Sequence, residues 1–426
     1  MRLRTVLALL ASAASLPAAD SLRAGLARAE ISPSDSLPHP SGAMYGYTNR
    51  RCGTATGTHD PLFAKALVLA AGDTKLAIVT LDLGSFVSER VVREARATLG
   101  IQAVLLAASH THSAPAFLGP QGGTSPYLEA VETKILETIK QAASNLFPAR
   151  MAAGRGSLQL GYNRLLPRDD GRSRALFDNL ERIPYGPVDP EYTVLRVDDE
   201  QGNAKAALIH YATHAVVLGP SNCKYSADYP GVLQSKLEAD LPGVQAMFVQ
   251  GGAGDINPLF MARSGDEEAD FKVVQKLGET LAGVTLKAVR EATPLPPAAP
   301  SIEFRTATFS FADRWEKAKS IDAGIATVLV NRQVAIATMP GEPMHKLQKD
   351  WKVAAEAGLP LFYGYTYTGT GVWAGYIPDL KTAAHGGYGA DASTRVEIGA
   401  GERLLQRHVV HLYDLLGMWR AEPGRP

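Results

Sequence analysis

Short apolar strands alternate with amphipathic helices along most of the 426-residue chain, and this alternation limits the fold more than any other feature. The strand segments are apolar at nearly every position, as expected for strands that are buried on both faces. Ser88 is a good N-cap for a helix that Gly100 ends, and Ser125 followed by Pro126 begins another helix. The pattern predicts an α/β fold, and hairpins within segment 301–337 favour a mixed sheet with flanking helices over a purely parallel sheet.

The segment boundaries follow from where these patterns begin and end. The charged, glycine- and proline-rich segment 167–190 is predicted to be a long surface loop, and long loops in compact enzymes often carry function. Further helices are predicted over residues 229–240, 266–291, 342–357 and 402–416. The predicted strands cover residues 66–70, 76–83, 103–107, 206–211, 245–249 and 334–338.

The charge balance argues against a polyanionic partner. The chain has 43 Lys and Arg residues and 43 Asp and Glu residues, so its formal net charge is zero. We therefore expect no nucleic-acid partner. Hydrophobic residues make up 46% of the chain, which is enough for a large core without disulfide staples.

The first residues have the pattern of a secretory signal peptide. Arg2 and Arg4 form a positive start, residues 6–14 are apolar but too short to cross a bilayer, and small residues precede Asp20. We expect a signal peptide over 1–19, a catalytic domain over 20–426, and a secreted or periplasmic protein. An uncleaved N-terminal anchor is the alternative. No other segment approaches transmembrane length, which leaves contact with a membrane surface open.

Cysteine chemistry is restricted to Cys52 and Cys223. Two cysteines so far apart form no CxxC motif, so zinc ribbons and thioredoxin-like chemistry are excluded. In an exported protein the two residues are expected to pair as a disulfide, and two separately buried thiols are the alternative.

Four of the predicted strands run directly into polar residues that can do chemistry. In α/β sheets, ligands gather beyond the carboxyl ends of the strands, so these four endings are expected to share one cleft. The residues at the endings are His110 and His112, His214, Asp255 and Asn257, and Glu342.

The sharpest local feature is the pair His110 and His112. In extended backbone, residues two apart face the same side, so both rings can serve one metal ion, or one can bind metal while the other contacts substrate. A hydrogen-bonded loop pair is the alternative. Taken singly, His214 fits a structural histidine, and Glu342 fits a carboxylate in the first turn of a helix.

The glycine-rich turn 251–258 resembles a phosphate-binding loop only superficially. It lacks the Gly-Lys-Ser/Thr ending, so nucleotide binding is rejected, whereas its backbone N–H groups could stabilise an oxyanion. The chain also contains no G-x-S-x-G and no H-E-x-x-H motif, which argues against serine esterases and zincins.

Taken in order, several stretches resemble the neutral (non-lysosomal) ceramidases. This family hydrolyses the N-acyl amide of ceramide with one zinc ion, so the resemblance implies Zn²⁺ as cofactor and a lipid or small-molecule substrate. The resemblance implies His110, His214, Glu342 and Tyr376 as metal ligands. It also places His112 and Arg164 near the substrate. The matching stretches are 25–33, 59–62, 109–113, 163–164, His214, 254–258, 340–342 and 375–376.

Two departures from the family pattern affect the predicted mechanism. Where the family has its catalytic serine in Gly-Asp-Val-Ser-Pro, segment 254–258 has Asn257, and an amide is not a nucleophile. The resemblance also ends without the C-terminal β-sandwich of larger members. We therefore expect zinc-activated water to attack the carbonyl directly. Asn257 would stabilise the oxyanion, His112 would move a proton, and Asp255 or Asp82 would orient a ligand histidine.

Two other functions stay open. One is a catalytically inactive ceramidase-like protein that binds a lipid or a glycan, which the missing serine favours. The other is a metal-dependent hydrolase of phosphate or sulfate esters, which a second metal ion would favour.

Overall fold

The computed structural model describes residues 21–117 and 125–419. Its strands are β1 (Arg23–Glu30), β2 (Phe63–Ala71), β3 (Thr74–Leu81), β4 (Ala103–Ala108), β5 (Phe147–Ser157), β6 (Gly161–Asn163), β7 (Leu165–Pro167), β8 (Ser173–Ala175), β9 (Glu191–Asp199), β10 (Ala204–Tyr211), β11 (Gln245–Gln250), β12 (Ile256–Pro258), β13 (Thr293–Pro294), β14 (Ile302–Ala312), β15 (Ser320–Val330), β16 (Val334–Thr338), β17 (Glu342–Pro343), β18 (Leu359–Tyr363), β19 (Thr366–Tyr367) and β20 (Tyr376–Ile377). Its helices are α1 (Glu89–Leu99), α2 (Pro126–Ser144), α3 (Asp228–Asp240), α4 (Glu267–Arg290), α5 (His345–Ala354), α6 (Leu380–His385) and α7 (Ala400–Leu415).

The largest sheet has the order β11-β10-β9-β5-β1-β2-β3-β4-β19, with β13 paired to β5. Most neighbours are antiparallel, but β3 and β4 are parallel, as are β10 and β11. Each parallel pair is joined by a crossover helix, α1 in the first case and α3 in the second, because parallel strands cannot be joined by a tight turn. The predicted mixed α/β fold is confirmed.

The two faces of this sheet pack against different layers. Along β2, Ala66 and Val68 join the core beneath α1 and α2, whereas Leu67 and Leu69 face the second sheet. That second sheet has the order β14-β15-β16-β18, and its outer face carries α5 and α7. The layers therefore run helix, sheet, sheet, helix, and burial of each leucine contributes roughly 1.5–3 kcal/mol.

Local signals position the helices as predicted. The Ser88 side chain accepts a hydrogen bond from the N–H of Val91, and Gly100 ends the same helix in a left-handed conformation. The side chain of Ser125 caps α2, with Pro126 at its first position.

The ends of several strands meet at one place. The Gln250 side chain, at the end of β11, donates a hydrogen bond to the carbonyl of Ser109 after β4 (3.2 Å). The N–H of Gly364, after β18, donates to the Gln250 carbonyl (3.0 Å). Strand ends that lie far apart in the sheet order are thereby joined around one cleft.

One predicted boundary is wrong, and it concerns a site residue. The helix predicted over 342–357 begins at His345, because Glu342 and Pro343 form a short parallel pair with Tyr376 and Ile377. A residue before proline is disfavoured in the helical region, which accounts for the extended start. The carboxylate of Glu342 therefore does not cap a helix and is free to face the cleft.

Cys52 and Cys223 form a disulfide, with their Cα atoms 5.9 Å apart, so the predicted pairing is confirmed. The predicted signal peptide over 1–19 lies outside the described residues and stays a prediction. Within the described ranges, every helix is too short or too polar to cross a bilayer.

Candidate active site

His110, His214 and Glu342 meet at the common end of the strands. The Nε2 atom of His110 lies 3.2 Å from Oε2 of Glu342, and that of His214 lies 3.1 Å from the same oxygen. All three side chains are buried. His110 and His214 follow β4 and β10, as predicted, and the backbone at His110 adopts a positive φ of 65°. This uncommon conformation turns the chain as it leaves the strand.

Backbone carbonyls set the protonation of the two imidazoles. Nδ1 of His110 lies 2.6 Å from the carbonyl of Gly84, and Nδ1 of His214 lies 2.5 Å from that of Ala253. Each Nδ1 therefore carries the hydrogen and donates it, which leaves the lone pair on Nε2. Two lone pairs then face the carboxylate oxygen of Glu342, an arrangement that a cation between them would stabilise.

The protonation states of His214 and Glu342 also favour a bound cation between them. Burial lowers the pKa of His214 to about 4, so its ring is neutral at physiological pH. Burial alone would raise the pKa of Glu342, but the neighbouring His110 and His214 hold that pKa well below its usual range. Neutral imidazole and carboxylate are the forms that bind zinc, and tetrahedral zinc ligands lie about 3.4 Å apart. The donor set therefore fits a metal ion.

His112 completes a histidine cluster. Its Nε2 lies 3.2 Å from Nε2 of His110, and the ligand atoms of His110, His112 and His214 all lie within 4.8 Å of one another. These three residues could hold a metal ion. The pKa of His112 lies well below its ordinary value because of burial and its histidine neighbours, and its Nδ1 has no partner.

A loop that the sequence analysis missed covers His112. The rings of Tyr45 and Tyr47 meet the His112 ring edge-on, at centroid distances of 5.7 and 4.9 Å. Between them, Gly46 has a φ of +98°, and a Cβ atom there would lie 2.3 Å from the His112 ring. Only glycine fits this close approach. No periodic pattern marks the loop, so its nearness to Cys52 was the one available signal.

The Arg50 side chain holds the loop that carries Tyr45, Gly46 and Tyr47 in place. Its guanidinium donates to the carbonyls of His112 (2.5 Å), Tyr45 (2.8 Å) and Asn222 (2.6 Å). The disulfide of Cys52 with Cys223 joins the loop to the segment that follows Asn222. The loop is thus held to segment 222–223 by a covalent bond and by the Arg50 cation, and to the histidine turn by the cation.

Arg164 is a buried cation on the other side of the cluster. Its guanidinium donates to the side-chain oxygen of Asn257 (3.1 Å), the carbonyl of Gly254 (2.7 Å) and the hydroxyl of Tyr376 (3.1 Å). Three aromatic rings surround it at 5.3–6.0 Å, a distance at which the ring faces attract the cation. The rings belong to Phe177, Tyr376 and Tyr388.

Tyr376 lies directly beside Glu342 in the β17–β20 pair. Burial, and then the charge of Glu342, raise the pKa of Tyr376 well above its ordinary value. A phenolate at this position therefore needs a cation close by, and Arg164 supplies one.

Asn257 links Arg164 to the loop that contains Phe177. Its side-chain oxygen accepts from Arg164, and its nitrogen donates to the carbonyl of Phe177 in the predicted surface loop (3.3 Å). The glycine-rich turn before it is needed for packing, since a Cβ atom at Gly254 would lie 2.5 Å from the carbonyl of Glu342.

Asp255 orients α5 rather than a histidine of the cluster. Its carboxylate accepts from the backbone N–H of His345 (2.9 Å), from Nδ1 of His345 (2.6 Å) and from the Asn163 amide (2.9 Å). Asp82 instead accepts from the N–H of Phe63 and from Gln234. The carbonyls of Gly84 and Ala253 thus take the role that the sequence analysis gave to Asp255 or Asp82.

Comparisons with known proteins place this site in a family context. Residues 38–276 match the family model described as neutral/alkaline non-lysosomal ceramidase, N-terminal. The neutral ceramidase of Pseudomonas aeruginosa is 29% identical over 301 residues, which are 62% of this chain and 42% of that protein. Neutral ceramidase A of Dictyostelium discoideum is 29% identical over 176 residues, 36% of this chain and 24% of that protein.

Solved structures share the fold. The crystal structure of neutral ceramidase from Pseudomonas aeruginosa superimposes with a TM-score of 0.75 over 96% of this chain and 76% of that one, at 18% identity. A ceramidase complexed with C2 gives a TM-score of 0.74 at 18% identity, over 96% of this chain and 77% of that one. The matched region spans less than half the length of the curated relatives. By its family match over more than half its length, the chain belongs to the neutral/alkaline non-lysosomal ceramidases.

Proposed function

We propose that this protein is an exported, zinc-dependent hydrolase that cleaves an N-acyl amide, ceramide-like, or a related acyl bond. The observation that carries the proposal is the convergence of the Nε2 atoms of two histidines on one carboxylate oxygen of Glu342, at 3.1 and 3.2 Å. This arrangement lies in a chain of the ceramidase family, whose named relatives are neutral ceramidases.

The metal ligands in this proposal are His110, His214, Glu342 and Tyr376. His110 and His214 offer lone pairs, and Glu342 offers one negative charge. Tyr376 lies opposite Glu342 in the β17–β20 pair. These residues would hold a zinc ion, which when bound would supply Lewis-acid chemistry and a water activated for attack at neutral pH.

The remaining residues bind and orient the substrate in this proposal. His112, neutral and beside His110, would take a proton from the attacking water and pass it to the leaving nitrogen. Arg164 directs its charge toward the reacting acyl group. Asn257 keeps Arg164 in place, and Asp255 secures the start of α5 behind the site.

The experiment is a substrate screen with protein purified without chelators. N-acyl amides, esters, lactones and phosphate esters are offered to the native, metal-stripped and zinc-restored protein. We expect acyl-bond hydrolysis that disappears on stripping and returns with zinc. The control variant is His59→Ala, which removes an exposed histidine outside the cluster and should behave as wild type. Hydrolysis that survives stripping would contradict the proposal.

An inactive, lipid- or glycan-binding protein is the second candidate. The observation that favours it is Asn257, which stands where the family resemblance places a catalytic serine. Zinc-replete protein that hydrolyses no member of the panel but binds ceramide-containing vesicles would establish it. Turnover of phosphate esters alone would instead favour a phosphate ester hydrolase.

We infer export from the signal peptide predicted over 1–19, and the disulfide between Cys52 and Cys223 supports it. Cell fractionation tests it, because the mature chain should be found outside the cytoplasm and should begin near Asp20.

A further inference from the structure

Tyr365 packs against the histidine cluster and is not among the proposed metal ligands or substrate-binding residues. Its ring centroid lies 4.5 Å from that of His110 and 6.2 Å from that of His214. The side chain is completely buried. Its backbone N–H donates to the carbonyl of Gly341, and its carbonyl accepts from the N–H of Ala108. Tyr365 therefore joins the end of β4, which leads to His110, with the turn that carries Glu342.

The backbone of Tyr365 is strained. Its φ is +55°, in the left-handed region that bulky side chains rarely adopt. Such a conformation persists only where surrounding contacts impose it, and such residues concentrate at functional sites. Here the imposed conformation places an aromatic ring beside the two histidines.

The hydroxyl of Tyr365 has no hydrogen-bond partner, although it is buried. Two other buried tyrosine hydroxyls are satisfied, since Tyr211 donates to Leu158 and Tyr229 donates to Thr213, both at 2.6 Å, whereas the hydroxyl of Tyr363 also has no partner. A buried hydroxyl without a partner destabilises the fold, so an orphan of this kind points to a missing acceptor. The acceptor should lie toward the cleft, because Glu342, Tyr376 and Arg164 are among the groups whose charges act on the Tyr365 hydroxyl.

One neighbouring donor, the buried Nε of Arg164, is also without a partner, but the other donors beside Tyr365 are engaged. Arg164 donates to Asn257, Gly254 and Tyr376, and the Asn257 nitrogen donates to the Phe177 carbonyl. A phenol keeps its proton at neutral pH and donates strongly to a developing anion. Tyr365 is thus a buried donor in the cleft whose hydrogen is unassigned.

We propose that Tyr365 is a catalytic residue whose hydroxyl donates a hydrogen bond to the acyl carbonyl oxygen of the substrate as negative charge develops there. This assignment rests on the hydrolase function proposed above. The phenol keeps its proton throughout, so no bond to Tyr365 forms or breaks. Donors aimed at a developing oxyanion are among the largest contributions to acyl-transfer catalysis.

The test is Tyr365→Phe, which removes only the hydroxyl, with Tyr363→Phe as matched control. Tyr363 is also buried, also has an unpartnered hydroxyl, and packs against His210 instead of the cluster. Because an unsatisfied group is removed in both variants, Tm should stay unchanged or rise in both. Tyr365→Phe should lower kcat by about 10²–10³ while KM stays within about threefold, and Tyr363→Phe should not alter either.

A second readout does not depend on turnover. Acetate carries a carboxylate that imitates the oxyanion, and its binding to cobalt-substituted protein is followed by the visible spectrum. Acetate affinity should fall about tenfold in Tyr365→Phe and remain at the wild-type value in Tyr363→Phe. Equal acetate affinity and equal kcat in Tyr365→Phe would overturn the assignment. Loss of cobalt from Tyr365→Phe would overturn it too, because Tyr365 would then be a ligand. Wild-type protein that takes up no cobalt would instead refute the proposed metal centre itself.

Discussion

Nε2 of His214 lies 3.1 Å from Oε2 of Glu342, although 128 residues separate the two along the chain. The carbonyl of Ala253 turns the lone pair of that nitrogen toward the carboxylate. The pair is therefore arranged for a cation and not for a simple hydrogen bond.

Removal of a metal ligand should empty the site. We expect about one zinc per chain in the wild-type protein. His110→Ala and Glu342→Gln should each retain much less zinc, the first because a lone pair is lost and the second because the negative charge is lost. Elemental analysis after gel filtration measures the content, with His59→Ala as control. Full occupancy in both ligand variants would refute the ligand assignment.

Asn257→Ala should keep the fold and the zinc but lose rate by up to about 10²–10³, because Arg164 loses an acceptor and the Phe177 loop loses an anchor. Asn257→Ser introduces the serine of the family pattern and should produce activity on ceramide if the acyl groove is intact. Turnover of an N-acyl amide panel at matched zinc content is the measurement. Unchanged turnover in Asn257→Ala would show that this loop plays no part in catalysis.

Gly46→Ala should displace His112. The added Cβ atom would lie 2.3 Å from the imidazole, and the backbone there is left-handed. The matched control is Gly72→Ala, because Gly72 also has a positive φ of +55° but has open space around it. Both variants carry the backbone strain, about 1 kcal/mol, but only Gly46→Ala should lower kcat. Equal activity in the two variants would contradict the contact with His112.

The disulfide should be complete and strongly stabilising. Thiol counting under denaturing, non-reducing conditions should find no free thiol. The closed loop spans 171 residues, so the chain-entropy model allows up to about 5 kcal/mol of stabilisation. The double variant Cys52→Ser/Cys223→Ser should therefore have a clearly lower Tm, together with looser attachment of the Arg50 loop. Two free thiols in the native protein would contradict the pairing.

Acid should destabilise the fold through His408, a buried histidine outside the histidine cluster. Burial lowers the pKa of His408 to about 3, against 6.5 in the unfolded chain, and both ring nitrogens are hydrogen-bonded to Thr327 and Thr338. Between these two pKa values the unfolded chain binds the extra proton, so the free energy of unfolding falls as pH falls below about 6.5. Urea unfolding at pH 6.5, 5.5 and 4.5 measures this slope. His408→Gln should reduce the slope by about 1.4 kcal/mol per pH unit, and an equal slope in both proteins would contradict the prediction.

Much of the fold was predictable because its signals are local. Ser88 and Gly100 mark the two ends of α1 through their own side-chain and backbone preferences. The buried strands were recognisable because every position must be apolar when both faces are covered. The strand endings likewise located His110 and His214, since the carboxyl end of a strand follows directly from where its apolar run stops.

Other features depend on contacts between segments that are distant along the chain. Glu342 resembles the first residue of a helix until its pairing with Tyr376 holds it extended. The loop with Tyr45 and Arg50 carries no periodic pattern, and its place over His112 depends on the disulfide and on carbonyls more than fifty residues away. The sequence by itself therefore determined the elements and the residue types at their ends. Only the tertiary structure decided which carbonyls orient the rings and which donors stay unpaired, because those choices depend on packing between layers.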